Sequence, residues 1–576
     1  MKRSAVRLGG RKTRMRIVAA TRRSASIGGS AFLLICAGVL ILSARPVGAN
    51  DAYDAALAKV RADEARRVEV LARAARAVVC VYSDDQRGGG GSGVIIDPQG
   101  YGLTNFHVVQ PFVETRRGFG GLCDGRLYPL RLLGIDPGGD IAMFKLEGRA
   151  SFDHVPLGDS DALRVGQWVA AMGNPFLLAE DFAPTITVGV ISGLHRYQRG
   201  RGNLLEYADC IQVSTSINPG NSGGPLFDLD GRVIGINGRA SFKDDEQRTR
   251  VNVGLGYAVS INQIKRFMPG LRAGRLLEHG TLGATVRRAG DELIISAIQS
   301  FSPAERAGVR LGDELLEIAG RRVRTANDYN NLLAIMPADW PITLRLRRDG
   351  QLMAVATRLE RLALRVPFVY VPDLEHNHTE LARILDRHAE RAQTRVAQPV
   401  SHVTFEGRFG PADQESAEPF TVVVRSPETA TAERDGQPAV VGPLNSTLRE
   451  EWRLLALPLL FRPQIGVDWE LLGGDEVDGR IVNVVERRPD DARRIRWKFD
   501  WQTDRLVEVS IGSDEESAAI VWSPGRPESC GQLDWPSVWK RCSSGGGELL
   551  LQLESITPAS EAEDGRPGRR SGEAAE

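Results

Sequence analysis

Cysteine and histidine are scarce in this chain of 576 residues, which carries 6 of the first and 8 of the second. No CxxC pair and no HExxH segment occurs, so the familiar zinc-binding and zinc-peptidase patterns are excluded. The one close histidine pair, His376 and His378, reads as a solvated helix start. Five cysteines follow Ala49, namely Cys80, Cys123, Cys210, Cys530 and Cys542. An odd number excludes a fully paired disulfide framework, so they read as local bridges or buried thiols. Cys530 and Cys542 lie close enough to staple a hairpin. Net charge is missing too, at a formal +0. The first 49 residues hold ten Lys or Arg and no acid. The remainder is therefore mildly acidic, which argues against a nucleic-acid partner held by bulk charge. No apolar run reaches the ~20 residues of a membrane-spanning helix. The run QRGGGGSG (86–93) lacks the Lys and Ser/Thr of a phosphate loop and opens a strand, not a helix. With neither a nucleotide loop nor a metal cluster, no cofactor is implied.

The longest apolar run, AFLLICAGVLIL (31–42), follows the basic segment and precedes small residues at Val47 and Ala49. That order is an export signal over residues 1–49, cut after Ala49. Ile27 to Ala44 carries no charge, which leaves retention as a membrane anchor as the alternative. The length calls for three or more domains, and 62 glycines with 30 prolines suit a turn-rich, strand-rich protein.

Residues 50–76 read as a charged amphipathic helix. From Val78 short β-rich runs take over, among them VVCVYS, SGVIID, IAMFKLE, GQWVAAMG, CIQVSTS and GRVIGIN, separated by Gly, Pro and Asp turns. Such spacing over about 190 residues predicts a sandwich or a pair of barrels, closed by a helix at Ile261 to Phe267. Residues 278–362 form a further unit, with a helix, turn, strand and longer helix across 302–336. A hairpin turning at Asp349-Gly350 follows. Thr379 to Thr394 reads as a helix and 411–440 as a loop or linker. Alternating runs then predict an antiparallel sheet in a region spanning 365–558. The small, charged tail at 559–576 is compositionally disordered.

The segment INPGNSGGPLFDLDGRVIGIN (217–237) sets Ser222 among glycines at 220, 223 and 224. Stripped of neighbouring side chains, such a backbone can turn its N–H groups outward. An exposed nucleophile beside an oxyanion pocket needs that, and so does an ordinary tight loop. A serine hydroxyl becomes a nucleophile only with an imidazole to take its proton and a carboxylate to orient the imidazole. Upstream stand His107, His154 and His195. His107, in TNFHVV, is placed to be fixed yet face a cleft, whereas the other two lie in polar stretches. Asp140, in GGDIAMFKL, stands at the mouth of an apolar strand, and Asp136 reads as a turn residue.

GSGVIID, GLTNFHVV, DIAMFKL, AAMGNPF, NPGNSGGPLFDLDGRVIGIN and GLGYAVS, in this order, resemble the HtrA/Deg family of chymotrypsin-fold serine proteases over roughly Ala77 to Phe267. The resemblance implies a mainly β fold with a double barrel at 77–270. It casts His107 as general base, Asp140 as its orienting carboxylate and Ser222 as nucleophile. It implies an oxyanion hole at Gly220, Asn221 and Ser222, where one donor is worth on the order of 10²–10³ in rate. Ser216 then lies at the base of the first specificity pocket, with Ile217 in its wall. The charged segment RASFKDDEQRTRVN (239–252) matches the family's switching loop, or is a surface insertion. EHGTLGATV with the 302–336 core resembles a PDZ domain. Its TLGA segment (Thr281, Leu282, Gly283, Ala284) would be the loop that captures a C-terminal carboxylate. No second PDZ pattern follows Leu362. FDWQTDRLVEVSI and LDWPSVWKR bear a faint similarity to LolA-like half-barrels.

By resemblance the chain is an exported, ATP-independent endopeptidase of unfolded or damaged envelope proteins in the periplasm. Its partners would be exposed C-termini and, as commonly in the family, two further copies in a trimer. The alternative is a chaperone or scaffold that captures peptides with slow hydrolysis or none.

Overall fold

The computed structural model describes residues 47–84, 90–174, 180–198, 207–244, 250–364, 366 and 368–392. Beyond these it describes 402–411, 418–426, 429–434, 437–438, 451, 454–455, 465, 468–488, 494–512, 518–524, 529–530, 533–536, 538–543 and 546–559. The apolar run at 31–42 and the tail from 560 lie outside the described residues. Among the described residues no helix is long and apolar enough to cross a membrane. The chain divides into compact units of residues 1–68 and 69–576. What is described of the first is the leading part of helix α1 (Val47–Ala75), where the Ala/Arg/Glu-rich sequence predicts a helix.

The second unit opens with two closed barrels. Strands β1 (Val78–Tyr82), β2 (Gly90–Ile95), β3 (Tyr101–Thr104), β4 (Arg117–Gly121), β5 (Leu127–Asp136) and β6 (Ile141–Leu146) close in the order β1-β2-β3-β6-β5-β4. Strands β7 (Trp168–Gly173), β8 (Thr185–Gln198), β9 (Tyr207–Val213), β10 (Pro225–Phe227), β11 (Val233–Asp244) and β12 (Arg250–Ser260) close in the order β10-β11-β12-β9-β8-β7. Closure pairs every edge, and the run VVCVY is buried at all five positions because Cys80 and Tyr82, outside the main core, pack against Phe182. The core of the first barrel, around Leu103, Ile135 and Phe144, continues into Met172, Tyr207 and Phe227 of the second. The seam between barrels is therefore a packed interface. Helix α2 (Phe106–Val109) lies on that seam, and helix α3 (Ile261–Arg272) closes the pair, five residues longer than its apolar pattern suggests. Of the charged segment at 239–252, residues 239–244 and 250–252 extend β11 and β12, with Asp244 opposite Arg250, and residues 245–249 lie outside the described residues.

The next unit holds strands β13 (Gly280–Thr281), β14 (Ala284–Ala289), β15 (Glu292–Ile298), β16 (Glu314–Ile318), β17 (Arg321–Arg322), β18 (Pro341–Arg348), β19 (Gln351–Arg358) and β20 (Glu360–Arg361). Its helices are α4 (Pro303–Arg306) and α5 (Ala326–Leu333). Thr325 caps α5 by accepting from Asp328 N at 3.1 Å, while the Asp328 carboxylate accepts from Thr325 N at 3.0 Å. Strand β14 is an edge of the sheet β14-β15-β16-β18-β19. The β18–β19 hairpin turns at Asp349-Gly350 as the sequence predicts, with Arg348 opposite Gln351.

Helix α6 (Leu374–Ala392) leads into a larger sheet. It consists of β21 (His402–Pro411), β22 (Glu418–Ser426), β23 (Thr429–Arg434), β24 (Gln437–Pro438), β25 (Trp469–Val477), β26 (Arg480–Arg487), β27 (Arg494–Asp500), β28 (Leu506–Gly512) and β29 (Ala518–Pro524). A small β30 (Ser529–Cys530) and β31 (Leu533–Pro536) pair intervenes before β32 (Val538–Ser543) and β33 (Gly546–Ala559) complete the sheet. The eleven strands run antiparallel in the order β24-β23-β22-β21-β33-β32-β29-β28-β27-β26-β25. Strands β22 to β24 correct the loop expected at 411–440. The β-branched run FTVVVR pairs with β21 in spite of the turn-forming residues around it. Trp469, Trp497, Trp522 and Trp539 fill the core with Leu381 and Leu385 of α6.

This third region is joined to both earlier ones by charged contacts. Arg272 bonds Asp97 and Glu380, each at 3.1 Å, and lies 4.1 Å above the Tyr101 ring. Burial would raise the Glu380 carboxyl, but Arg272 and Arg383 outweigh it and bring its pKa down to about 2. Arg358 bonds Asp475 with two contacts of 3.0 Å, and Trp340 Nε1 donates to Glu476 at 3.1 Å. Two expectations fail here. His376 starts a helix but is buried, accepting no solvent role: its Nε2 meets Arg272 O at 2.9 Å, because α6 packs on the end of α3. Cys542 is a free, exposed thiol, so it does not staple a hairpin with Cys530.

His388 is fully buried on α6, its Nδ1 donating to Asp504 O at 3.1 Å, and burial lowers its pKa to about 4. Its unfolded value is higher, so the unfolded chain binds more protons between about pH 6.5 and 4. Stability contributed by the neutral ring is complete above that window and lost as pH falls through it, on the order of 3 kcal/mol in all. His388→Gln is expected to flatten the acid side of a urea-melting series that follows tryptophan emission.

Candidate active site

Three of the four residues of α2, Phe106, Val108 and Val109, are buried, and the helix leaves His107 facing out. Its side chain is 38% exposed, while Asp140 is wholly buried. Asp140 Oδ2 lies 2.8 Å and Oδ1 3.0 Å from His107 Nδ1, and His107 N donates to Oδ1 at 3.0 Å. Asn105 Nδ2 holds the Asp140 carbonyl at 2.8 Å. Asp140 has a φ of +56° at the end of a turn that Asp136 fixes by accepting from Gly139 N at 2.9 Å. Asp136 is thus the turn residue expected, and it also pairs with His279 Nε2 at 2.8 Å. Burial would lower the His107 pKa, yet the charge of Asp140 and its hydrogen bond outweigh it and leave the imidazole above its usual 6.5.

The loop carrying Ser222 is stitched to the first barrel. Ser92 N donates to Ser222 O at 2.8 Å, and Ser92 Oγ donates to Gly220 O at 2.6 Å while accepting from Asn174 N at 2.9 Å. Gly223, at φ +84°, lies so close that a Cβ there would stand 2.2 Å from both Ser92 O and Thr104 Oγ1. Only glycine fits. The nucleophile loop and the segment leading to His107 are therefore in van der Waals contact. The Ser222 hydroxyl donates to Gly238 O at 3.1 Å, so its bond in this structure is to a carbonyl on β11. A turn about χ1 is what would aim it elsewhere. Gly220 adopts φ +99°, and Asn221 is buried with its Nδ2 3.3 Å from Ser216 O.

Ser216 is exposed and uncharged, and Ile217 is buried against Val213 and Gly256 in the second barrel's core. In the next unit, Leu282 is buried in the core, Thr281 Oγ1 accepts from Gly283 N at 3.2 Å, and Tyr329 of α5 donates to Ala284 O at 2.6 Å. The loop and the helix facing it are thereby joined. His154 and His195 stand apart from Ser222's bonds: His195 meets Asp209 at 2.8 Å, which in turn meets Arg321 at 2.9 Å. Sequence reasoning passed over Tyr207, whose hydroxyl donates to Asp140 Oδ2. No local motif announces it, since the contact joins the β5–β6 turn of one barrel to β9 of the other. Among the described residues no group of three or more His, Cys, Asp or Glu is placed to hold a metal ion.

A buried carboxylate on an imidazole, beside a serine in a glycine loop, is equipped for acyl transfer. Residues 91–236 match the family described as trypsin-like peptidase domain, and residues 294–348 match the PDZ domain. A probable periplasmic serine endoprotease DegP-like of Chlamydia pneumoniae is 32% identical over 282 residues, 46% of this chain and 54% of that protein. The periplasmic serine endoprotease DegP of Escherichia coli strain K12 is 33% identical over 284 residues, 47% of this chain and 57% of that protein. Among solved structures, the HtrA-type protease AlgW with tripeptide is 29% identical with a TM-score of 0.42, covering 52% of this chain and 98% of that one. The chain spans about half the length of the curated relatives it matches. Fold and matches together define a trypsin-like serine-peptidase domain joined to a PDZ domain. Over the matched residues the chain is similar to DegP-type serine endoproteases.

Proposed function

We propose that the protein is an exported, ATP-independent serine endopeptidase of the cell envelope that degrades unfolded or damaged proteins. The observation that carries this reading is the buried Asp140 bonded to His107 beside the Ser222 loop. His107 is the general base, Asp140 fixes its tautomer, and Ser222 attacks the peptide carbonyl once its hydroxyl leaves Gly238 O. Gly220 N and Ser222 N supply the oxyanion donors. The unit at 278–362 recruits C-termini at Thr281 to Ala284, with a peptide adding to the free edge of β14. Periplasmic placement rests on the export signal and on the names of the relatives.

The homotrimer is carried over by family resemblance alone, and an exposed apolar face on the second barrel supports association with a protein partner. Trp168, Ile186 and Val188 share one side of the β7–β8 hairpin and are 54%, 39% and 51% exposed. A patch of this kind favours a protein partner.

A fluorophosphonate reagent should label the wild type and not Ser222→Ala, and an absence of labelling in both would end the reading. Because Ser216 brings no charge to the pocket base, cleavage in a peptide library is expected after small or medium aliphatic residues. Efficient cleavage after Arg would overturn that assignment.

A further inference from the structure

Besides His107 N and His107 Nδ1, the Asp140 carboxylate has a third hydrogen-bond donor that the proposed mechanism does not use. Tyr207 is the first residue of β9 and is buried, and its hydroxyl donates to Asp140 Oδ2, the oxygen that also faces His107 Nδ1. Its ring reaches there only because residue 238 has no side chain. A Cβ on Gly238 would lie 2.5 Å from Tyr207 Cε1 and 2.9 Å from its hydroxyl oxygen. Gly238 is also the residue whose carbonyl holds the Ser222 hydroxyl. One side chain thus touches the carboxylate of the pair and packs against the residue whose carbonyl holds the serine. Strand β9 is anchored two residues on, where the Asp209 backbone N–H donates to Asn331 and the Asp209 carboxylate meets Arg321.

We propose that Tyr207 is a positioning residue for the Asp140–His107 pair, holding the carboxylate in register with the imidazole and sharing its charge. The proposal rests on the serine-peptidase reading above. A buried carboxylate with a donor from a second element is more tightly fixed in rotation, and each donor takes part of its negative charge. Without the phenol, Asp140 would be freer to turn and would concentrate its charge on His107. The titratable groups around the carboxylate are His107 on α2, Tyr207 itself, and Cys210 on β9, whose thiol burial keeps neutral. Asp209 is committed to Arg321 and His195.

The test compares full-length wild type, Tyr207→Phe and Gly238→Ala on an unfolded protein substrate. Tyr207→Phe is expected to lower kcat about tenfold with KM within about twofold. Gly238→Ala keeps every hydroxyl yet should displace the ring, and so should lower kcat in the same way. In the Ser222→Ala background, NMR of labelled histidine should show the His107 titration moving up by about half a pH unit in Tyr207→Phe. An unmoved titration overturns the proposal, whatever happens to kcat, because a merely structural loss would leave the pair intact. If the wild type cleaves nothing, the endopeptidase reading fails, and the titration still decides the role of Tyr207. If Tyr207→Phe does not fold, Gly238→Ala is read in its place in both measurements.

Discussion

Ser222→Ala should reduce turnover of an unfolded protein by on the order of 10⁵–10⁶, while peptide binding at the PDZ unit stays at its wild-type affinity. The size follows from chemistry: Ser222 is the proposed nucleophile, and without its hydroxyl the imidazole has no proton to take. The proposed oxyanion donors would survive, because Ser92 holds Gly220 O and Ser222 O from the first barrel through backbone atoms that alanine keeps. A residual rate above that of water is therefore expected. The hydroxyl's bond to Gly238 O is worth about 1 kcal/mol at most, so the variant should melt close to the wild type. Quantified fragment release, with calorimetric titration of a C-terminal peptide, checks both halves. Equal fragment yields from variant and wild type would refute the assignment of Ser222.

Asp140→Asn should lower kcat by on the order of 10⁴. Asp140 receives His107 N, His107 Nδ1 and Tyr207, all donors, in a site with no solvent access. An amide would turn its own N–H₂ toward at least one of them, leaving a buried donor against a donor and forcing His107 into the wrong tautomer. The effect on pH dependence has a definite sign. In the wild type the carboxylate holds the His107 pKa above 6.5, so activity falls as pH drops through that raised value. Without the charge, the acid limb of kcat/KM should move to lower pH even as the plateau collapses. A limb that moves up, or a plateau within tenfold of wild type, would contradict the role given to Asp140.

The parts of this architecture that sequence revealed are those written in contiguous residues. The glycine pattern around Ser222, the TNFHVV segment and the alternating runs of the barrels each depend on neighbours within a few positions. The same holds for the capped helix at Ala326 and the turn at Asp349-Gly350. What stayed hidden depends on distant partners. Tyr207 gains its meaning from Asp140, 67 residues away, and from a missing side chain at 238. His376 looked solvated because its neighbours are polar, whereas its burial comes from the end of α3, 104 residues earlier. Strands β22 to β24 were missed because turn-forming residues surround a short β-branched run whose pairing partner is β21. The resting direction of the Ser222 hydroxyl has no sequence signal at all, since a single side-chain rotation decides it.

The distribution of indole rings has a practical result. Of nine tryptophans, seven fall after residue 450, one is Trp340, and Trp168 alone belongs to the barrels, where it is already 54% exposed. Intrinsic emission will therefore register the melting of the large C-terminal sheet and stay nearly blind to the peptidase, so a red shift on heating says little about whether catalysis has been lost.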